Sequence, residues 1–116
     1  MLKISKLVNF AATAVLVSGQ ALFAGNVPES SDPIIVSIQD WTGQHFSTNV
    51  AVGLLKEMGY NVKTQPSEAI TQHPAIASGN INLSTEVWTN NVGDLYQGFV
   101  DKGDIVVVGE LGLSPK

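Results

Sequence analysis

Residues 34–64, IIVSIQDWTGQHFSTNVAVGLLKEMGYNVKT, decide the fold of this chain. The β-branched run Ile34 to Gln39 reads as a strand. Trp41-Thr42-Gly43 breaks it, and apolar residues then recur at helical spacing at Phe46, Val50, Leu54, Leu55 and Met58. Thr42 is placed to cap that helix at its start, and Gly59 to end it as the C′ residue. Tyr60 to Thr64 follows at once as a second strand, with Tyr60, Val62 and Thr64 alternating along it. A strand, a helix and a strand joined by a few residues each imply parallel pairing through a right-handed crossover.

The pattern continues downstream. Ser67 opens a helical stretch that is awkward at Pro74, and Pro74 fits better as the first residue of a second short helix running to Gly79. Ile81 to Val87 reads as a third strand, and Asn91 to Lys102 as a third helix with Leu95, Phe99 and Val100 on one face. Ile105 to Val108 reads as a fourth strand, whose unbroken apolar character fits burial on both faces. The expected fold class is therefore α/β: a parallel β-α-β-α-β-α-β sheet with helices on both faces.

Upstream, the chain differs in kind. Lys3 and Lys6 form a short positive segment, and Leu7 to Gly19 is apolar apart from Asn9, Thr13 and Ser18. That stretch is shorter than the roughly 20 residues of a membrane-spanning helix, and Leu22-Phe23-Ala24 offers a cleavage point. Residues 1–24 are thus expected to be a secretory signal peptide, residues 25–33 a polar linker with two prolines, and residues 34–116 the folded part. Cleavage after Ala21 is the alternative. A chain without cysteine uses no disulfide and carries no lipid-modified cysteine, so the expected location is the periplasm, in soluble form.

Composition narrows the function classes. The chain has 116 residues, a formal net charge of −4 and no arginine, so no basic patch is available to neutralise phosphates, and nucleic acid is not an expected partner. The two histidines, His45 and His73, lie far apart with no H-E-x-x-H pattern, and no metal site is expected. No G-x-S-x-G, P-loop or G-x-G-x-x-G motif is present, no cofactor is expected, and enzymatic catalysis has no anchor.

The two tryptophans carry the functional signal. Trp41 and Trp88 each stand just beyond a predicted strand end, on the rim where open α/β sheets hold their ligands. Indole faces attract a desolvated cation by roughly 2 kcal/mol each, and quaternary ammonium groups suit them best. Trp also fills gaps between helices and sheet as a large apolar residue, and that reading stands beside the first. Glu86 and Asp40 lie close by in sequence; each supplies negative potential to a cation site or is a solvated carboxylate. Thr42-Gly43 and Thr89-Asn90-Asn91 begin helices, so their backbone N–H groups favour an anion at the same rim, a role compatible with simple capping. Tyr96 is expected to pack a helix face, and Tyr60 lies away from the rim.

Taken in order, Trp41, the Leu54-Leu55-Lys56-Glu57-Met58-Gly59-Tyr60-Asn61-Val62 segment, Ala77-Ser78-Gly79-Asn80-Ile81-Asn82-Leu83 and Glu86-Val87-Trp88 resemble the glycine betaine, proline betaine and choline-binding proteins of ABC importers. The resemblance covers roughly Pro33 to Pro115. It implies a type II periplasmic binding-protein fold, closing as a two-domain clamp on a quaternary ammonium compound and delivering it to an ABC permease in the inner membrane. It also implies the sheet order, with strand one between strands two and three, so that the tips bearing Trp41 and Trp88 are neighbours about 4.8 Å apart. The resemblance implies Trp41 and Trp88 as cage aromatics; with Thr42, Gly43, Thr89 and Glu86 from the reading of the rim, these are the expected ligand-binding residues. Family members run to roughly twice this length or more, as two domains of ordinary size require. The chain is accordingly expected to be the first part of domain one, weak or inactive in binding alone. The alternatives are a small secreted α/β enzyme fragment using Glu86 with His45, or a remnant that binds nothing small.

Overall fold

The computed structural model describes residues 27–110. Within them the elements run β1 (Ile34–Ile38), α1 (Thr42–Glu57), β2 (Val62–Pro66), α2 (Gln72–Ala77) and α3 (Thr89–Lys102). β1 and β2 pair in parallel, with Ile34 opposite Val62 and Ile38 opposite Pro66. The predicted third strand survives as a single parallel bridge between Val36 and Leu83. Its hydrogen bonds run from Ser37 N to Leu83 O at 2.8 Å and from Asn82 N to Ile35 O at 2.8 Å. β1 is therefore central, with β2 on one side and residues 82–83 on the other. The third segment is short because its side chains turn it out of the ladder: the Ser84 hydroxyl bonds the Glu86 carbonyl at 3.0 Å, and Thr85 is held by α1.

The two faces of β1 are covered by different helices. Val36 packs with Val52 of α1 and Val62 of β2, flanked by Ile34, Leu55, Tyr60 and Leu83. On the opposite face, the Ser37 hydroxyl donates to Gln72 Oε1 of α2 at 3.1 Å. This is the α/β arrangement with parallel strands and helices on both faces.

Three expectations need correction. The fourth strand is absent among the described residues: Ile105 is buried, but Val106 and Val108 are 77% and 88% exposed. An apolar run becomes a doubly buried strand only beside a ladder partner, and here the segment stands off residues 81–88 across an open cleft of about 750 Å³. Of the five apolar residues that revealed α1, only Leu55 packs towards the core. Gln44, Thr48 and Val52 face the sheet, whereas Phe46, Val50, Leu54 and Met58 are exposed, Phe46 by 74%. Polar bonding displaces the buried stripe, since Thr48 Oγ1 reaches Ser37 O at 3.4 Å and Thr85 Oγ1 at 3.0 Å. Finally, Pro74 is the third residue of α2 rather than the first; its missing N–H still falls in the first turn, where no helical bond is lost.

Gly59 ends α1 with φ +94° and Gly103 ends α3 with φ +78°, both in the left-handed region that favours glycine. The expected leader, residues 1–24, lies outside the described residues. Among those described, no helix is long and apolar enough to cross a membrane.

Candidate functional site

The site is built where β1 and the 81–88 segment end. Trp41 and Trp88 each occupy the N-cap position of the helix that follows, Trp41 for α1 and Trp88 for α3, in extended backbone conformation. Thr42 and Thr89 are accordingly the first helical residues and not caps, and neither helix has a side-chain cap bond at its start. Hydroxyl side chains are the usual capping signal. Here the chain leaves its extended path at the indole one position earlier, and the tryptophan carbonyl begins the helical bonding, with His45 N donating to Trp41 O at 3.0 Å.

Both indoles converge on one carboxylate. Trp41 Nε1 donates to Glu86 Oε2 at 3.0 Å and Trp88 Nε1 donates to the same oxygen at 3.2 Å. The second oxygen, Oε1, accepts from the Ser47 hydroxyl of α1 at 3.0 Å. Ser47 and Thr48 also bond Thr85 Oγ1, at 3.1 and 3.0 Å, so the segment leading into Glu86 is fastened to α1 at two adjacent residues. Gly43 sits beside this hub: a Cβ there would lie 3.7 Å from Glu86 Oε1 and 3.8 Å from the Trp41 ring, so a larger side chain at 43 would crowd the carboxylate.

Glu86 is thus a half-buried acceptor of three hydrogen bonds and not a solvated carboxylate. Bonds to a charged acceptor contribute about 1.5–3 kcal/mol each where water is excluded, less where it is not. Two tryptophans 47 positions apart in the chain are held at one place by this single side chain. Asp40 is fully exposed and stands 3.9 Å from His45 Nε2. No ion pair joins His45 to Glu86 among the described residues, so the pairing an enzyme reading required is not formed. Thr42, Gly43 and Thr89 lie exposed at the same rim, at the first turns of α1 and α3.

Residues 32–116 match the family described as the substrate binding domain of ABC-type glycine betaine transport system. The chain belongs to that family. Over 99 residues this substrate-binding domain is 31% identical to the trimethylamine N-oxide-binding protein of Pelagibacter ubique (strain HTCC1062), a match covering 84% of the chain and 32% of that relative. The chain thus spans about a third of the relative's length. No solved structure matches it. The family is one of substrate-binding receptors and not a class of enzyme.

Three further side chains of this binding domain have no binding role in the sequence reading, where His73 is considered only as a metal ligand. Gln39, Gln44 and His73 are buried, and no polar atom of their side chains has a hydrogen-bond partner. Such groups cost about 1–3 kcal/mol each when left unpaired, so they are uncommon in a settled interior. Gln39 follows the last residue of β1, Gln44 is in the first turn of α1 and His73 in the first turn of α2. All three sit at the strand-exit end of the sheet, where the indoles are. The available signal was a glutamine ending a run of β-branched residues, immediately before Asp40-Trp41. Burial pushes His73 below the usual histidine range, and its ring packs against Tyr96 at a centroid distance of 5.6 Å. Tyr96 thus packs on His73 of α2, and it also lines the open cleft that Trp88 and Glu86 border. Tyr60 packs on the core, and its hydroxyl donates to Glu29; that bond holds the Glu29 carboxyl below its usual range.

Proposed function

We propose that this chain forms one wall of a periplasmic receptor that binds a methylated ammonium compound for an ABC importer. Candidate ligands are glycine betaine, proline betaine, choline and, from the name of the Pelagibacter relative, trimethylamine N-oxide. The observation that carries this reading is the convergence of the Trp41 and Trp88 indole N–H groups on Glu86. With both ring edges fixed by one carboxylate, the π faces are left to a ligand, and the carboxylate places negative charge behind them. A trimethylammonium group has no N–H to donate and is weakly hydrated, so aromatic faces select it where a bare carboxylate would prefer an ordinary ammonium.

In this reading Trp41 and Trp88 are cage walls and Glu86 sets their position and the local potential. Thr42, Gly43 and Thr89 border the ligand at the helix starts, whose free backbone N–H groups favour an anionic ligand end. Residues 1–24 direct export, 25–33 link the leader to the binding domain, and the receptor's partner is an inner-membrane ABC permease.

Magnitudes set the expected affinity. Two half-exposed indoles offer between about 0.5 and 2 kcal/mol each, and a millimolar Kd corresponds to about 4 kcal/mol. One wall also leaves a ligand far short of the roughly 70–90% burial of a formed pocket. The test is titration of tryptophan fluorescence with choline, glycine betaine and trimethylamine N-oxide. A saturable change in the millimolar range, lost in Trp41→Ala and in Trp88→Ala, is expected. A titration curve that matches sodium chloride for every ligand would overturn the proposal.

A further inference from the structure

Gln39 is buried to 2% exposure, and neither its carboxamide nitrogen nor its oxygen meets a partner. Its neighbours on that face are paired: Ser37 bonds Ser67 and Gln72, and Gln72 Oε1 also accepts from Ser84 at 2.8 Å. Of the three unpaired side chains Gln39, Gln44 and His73, Gln39 is the one that lines a cavity with both indoles. Gln39 lines a small cavity of about 40 Å³ together with Trp41, Trp88, Glu86 and Gln72. A cavity of that size takes about one water-sized group, and a trimethylammonium group does not fit in it.

We propose that Gln39 is a specificity-determining residue of the indole site, receiving the single oxygen of a methylated amine whose cationic end lies against Trp41 and Trp88. The proposal rests on the function proposed above and narrows its ligand class. A carboxamide suits a lone oxygen of either kind, because Nε2 donates to an N-oxide and Oε1 accepts from a hydroxyl. A carboxylate suits it poorly, because it brings two oxygens to a one-oxygen space. The chemistry selected is an oxygen-bearing methylated amine of the hydroxyl or N-oxide type, ahead of a betaine.

The test compares the chain with Gln39→Leu and Gln39→Met, using four probes: trimethylamine N-oxide, choline, glycine betaine and tetramethylammonium, which has the cation and no oxygen. Affinities are read from tryptophan fluorescence and from ¹⁵N signals of the indoles and of the Gln39 side-chain amide. Each variant is expected to lose about five- to tenfold in affinity for choline and trimethylamine N-oxide, with less than about twofold change for tetramethylammonium. In the unaltered chain, the Gln39 amide signal moves with the two oxygen-bearing probes and stays still with tetramethylammonium. This readout decides the matter even where a variant fails to fold. Equal losses for all four probes, or an amide signal indifferent to choline and N-oxide, would mean that Gln39 holds only an ordered water and would overturn the proposal. Binding that is intact but insensitive to Gln39 removes this inference alone; binding of no probe removes the indole site and this inference together.

Discussion

Replacing Glu86 tests the hub on which the site depends. In Glu86→Ala, three donors lose their acceptor: the indole N–H of Trp41, the indole N–H of Trp88 and the Ser47 hydroxyl. Fully buried, charge-assisted bonds of this kind contribute about 1.5–3 kcal/mol each. All three groups here are half-buried, so water replaces part of each bond, and a total loss of about 2–4 kcal/mol is expected. Glu86→Gln behaves differently. Its amide oxygen accepts from both indoles in place of Oε2, and its NH₂ donates to Ser47, whose hydroxyl turns to accept. The geometry survives with neutral bonds, at a cost of about 1–2 kcal/mol. Urea unfolding gives the stabilities, and the two indole ¹⁵N–H resonances report the geometry directly. Both resonances are expected to shift in Glu86→Ala, and to stay near their original positions in Glu86→Gln. Stability and indole shifts unchanged in Glu86→Ala would refute the carboxylate as the group that places the tryptophans.

Two other perturbations probe the frame around the site. Gly59 and Gly103 both have positive φ, but a Cβ at Gly59 would come within 3.2 Å of Pro28 Cδ whereas one at Gly103 meets open space. Gly103→Ala is expected to cost about 1 kcal/mol from backbone strain alone, and Gly59→Ala measurably more; equal losses by urea unfolding would show that the Pro28 contact does not matter. His73 gives the fold a pH dependence. Burial holds its folded pKa below the unfolded value near 6.5, so the unfolded chain binds the proton first as pH falls. The stability tied to neutral His73 is complete above about pH 6.5 and declines below it until the folded group titrates. Thermal unfolding between about pH 7.5 and 5 is expected to show that decline, and His73→Gln to flatten it.

How much of this was legible in the sequence depended on what each residue's role required. The β1–α1–β2 unit was readable because local signals agree there: a β-branched run, a helical recurrence and Gly59 at a position needing positive φ. The third helix was readable for the same reason. What failed were inferences from one property alone. Ile105-Val106-Val107-Val108 has strand propensity, but a strand is a pairing, and the partner is not written in the run itself. Phe46, Val50, Leu54 and Met58 have helical period, but period does not say which side of a helix faces the sheet when Thr48 and Gln44 take the inner positions. Thr42 and Thr89 have the right chemistry to cap, but the backbone enters each helix one residue earlier, at a tryptophan. The site was legible only in outline. The indoles and Glu86 were named, but their convergence is a long-range fact joining residues 41, 47, 86 and 88, and no local pattern encodes it.

That convergence also explains why tryptophan, and not a hydroxyl residue, stands at both helix starts. A capping serine or threonine would satisfy one backbone N–H and stabilise its own helix by about 1 kcal/mol. Trp41 and Trp88 forgo that bond at α1 and α3 and turn their N–H groups to a carboxylate supplied by a third segment. Each helix start is thereby tied to the other through Glu86, and the backbone N–H groups of both first turns stay free of side-chain caps. Local helix stability is exchanged for two indoles held together at one carboxylate. An interior optimised for stability alone has no use for that arrangement, nor for the unpartnered amide of Gln39 beside it. A surface that completes its bonding with a bound ligand uses both.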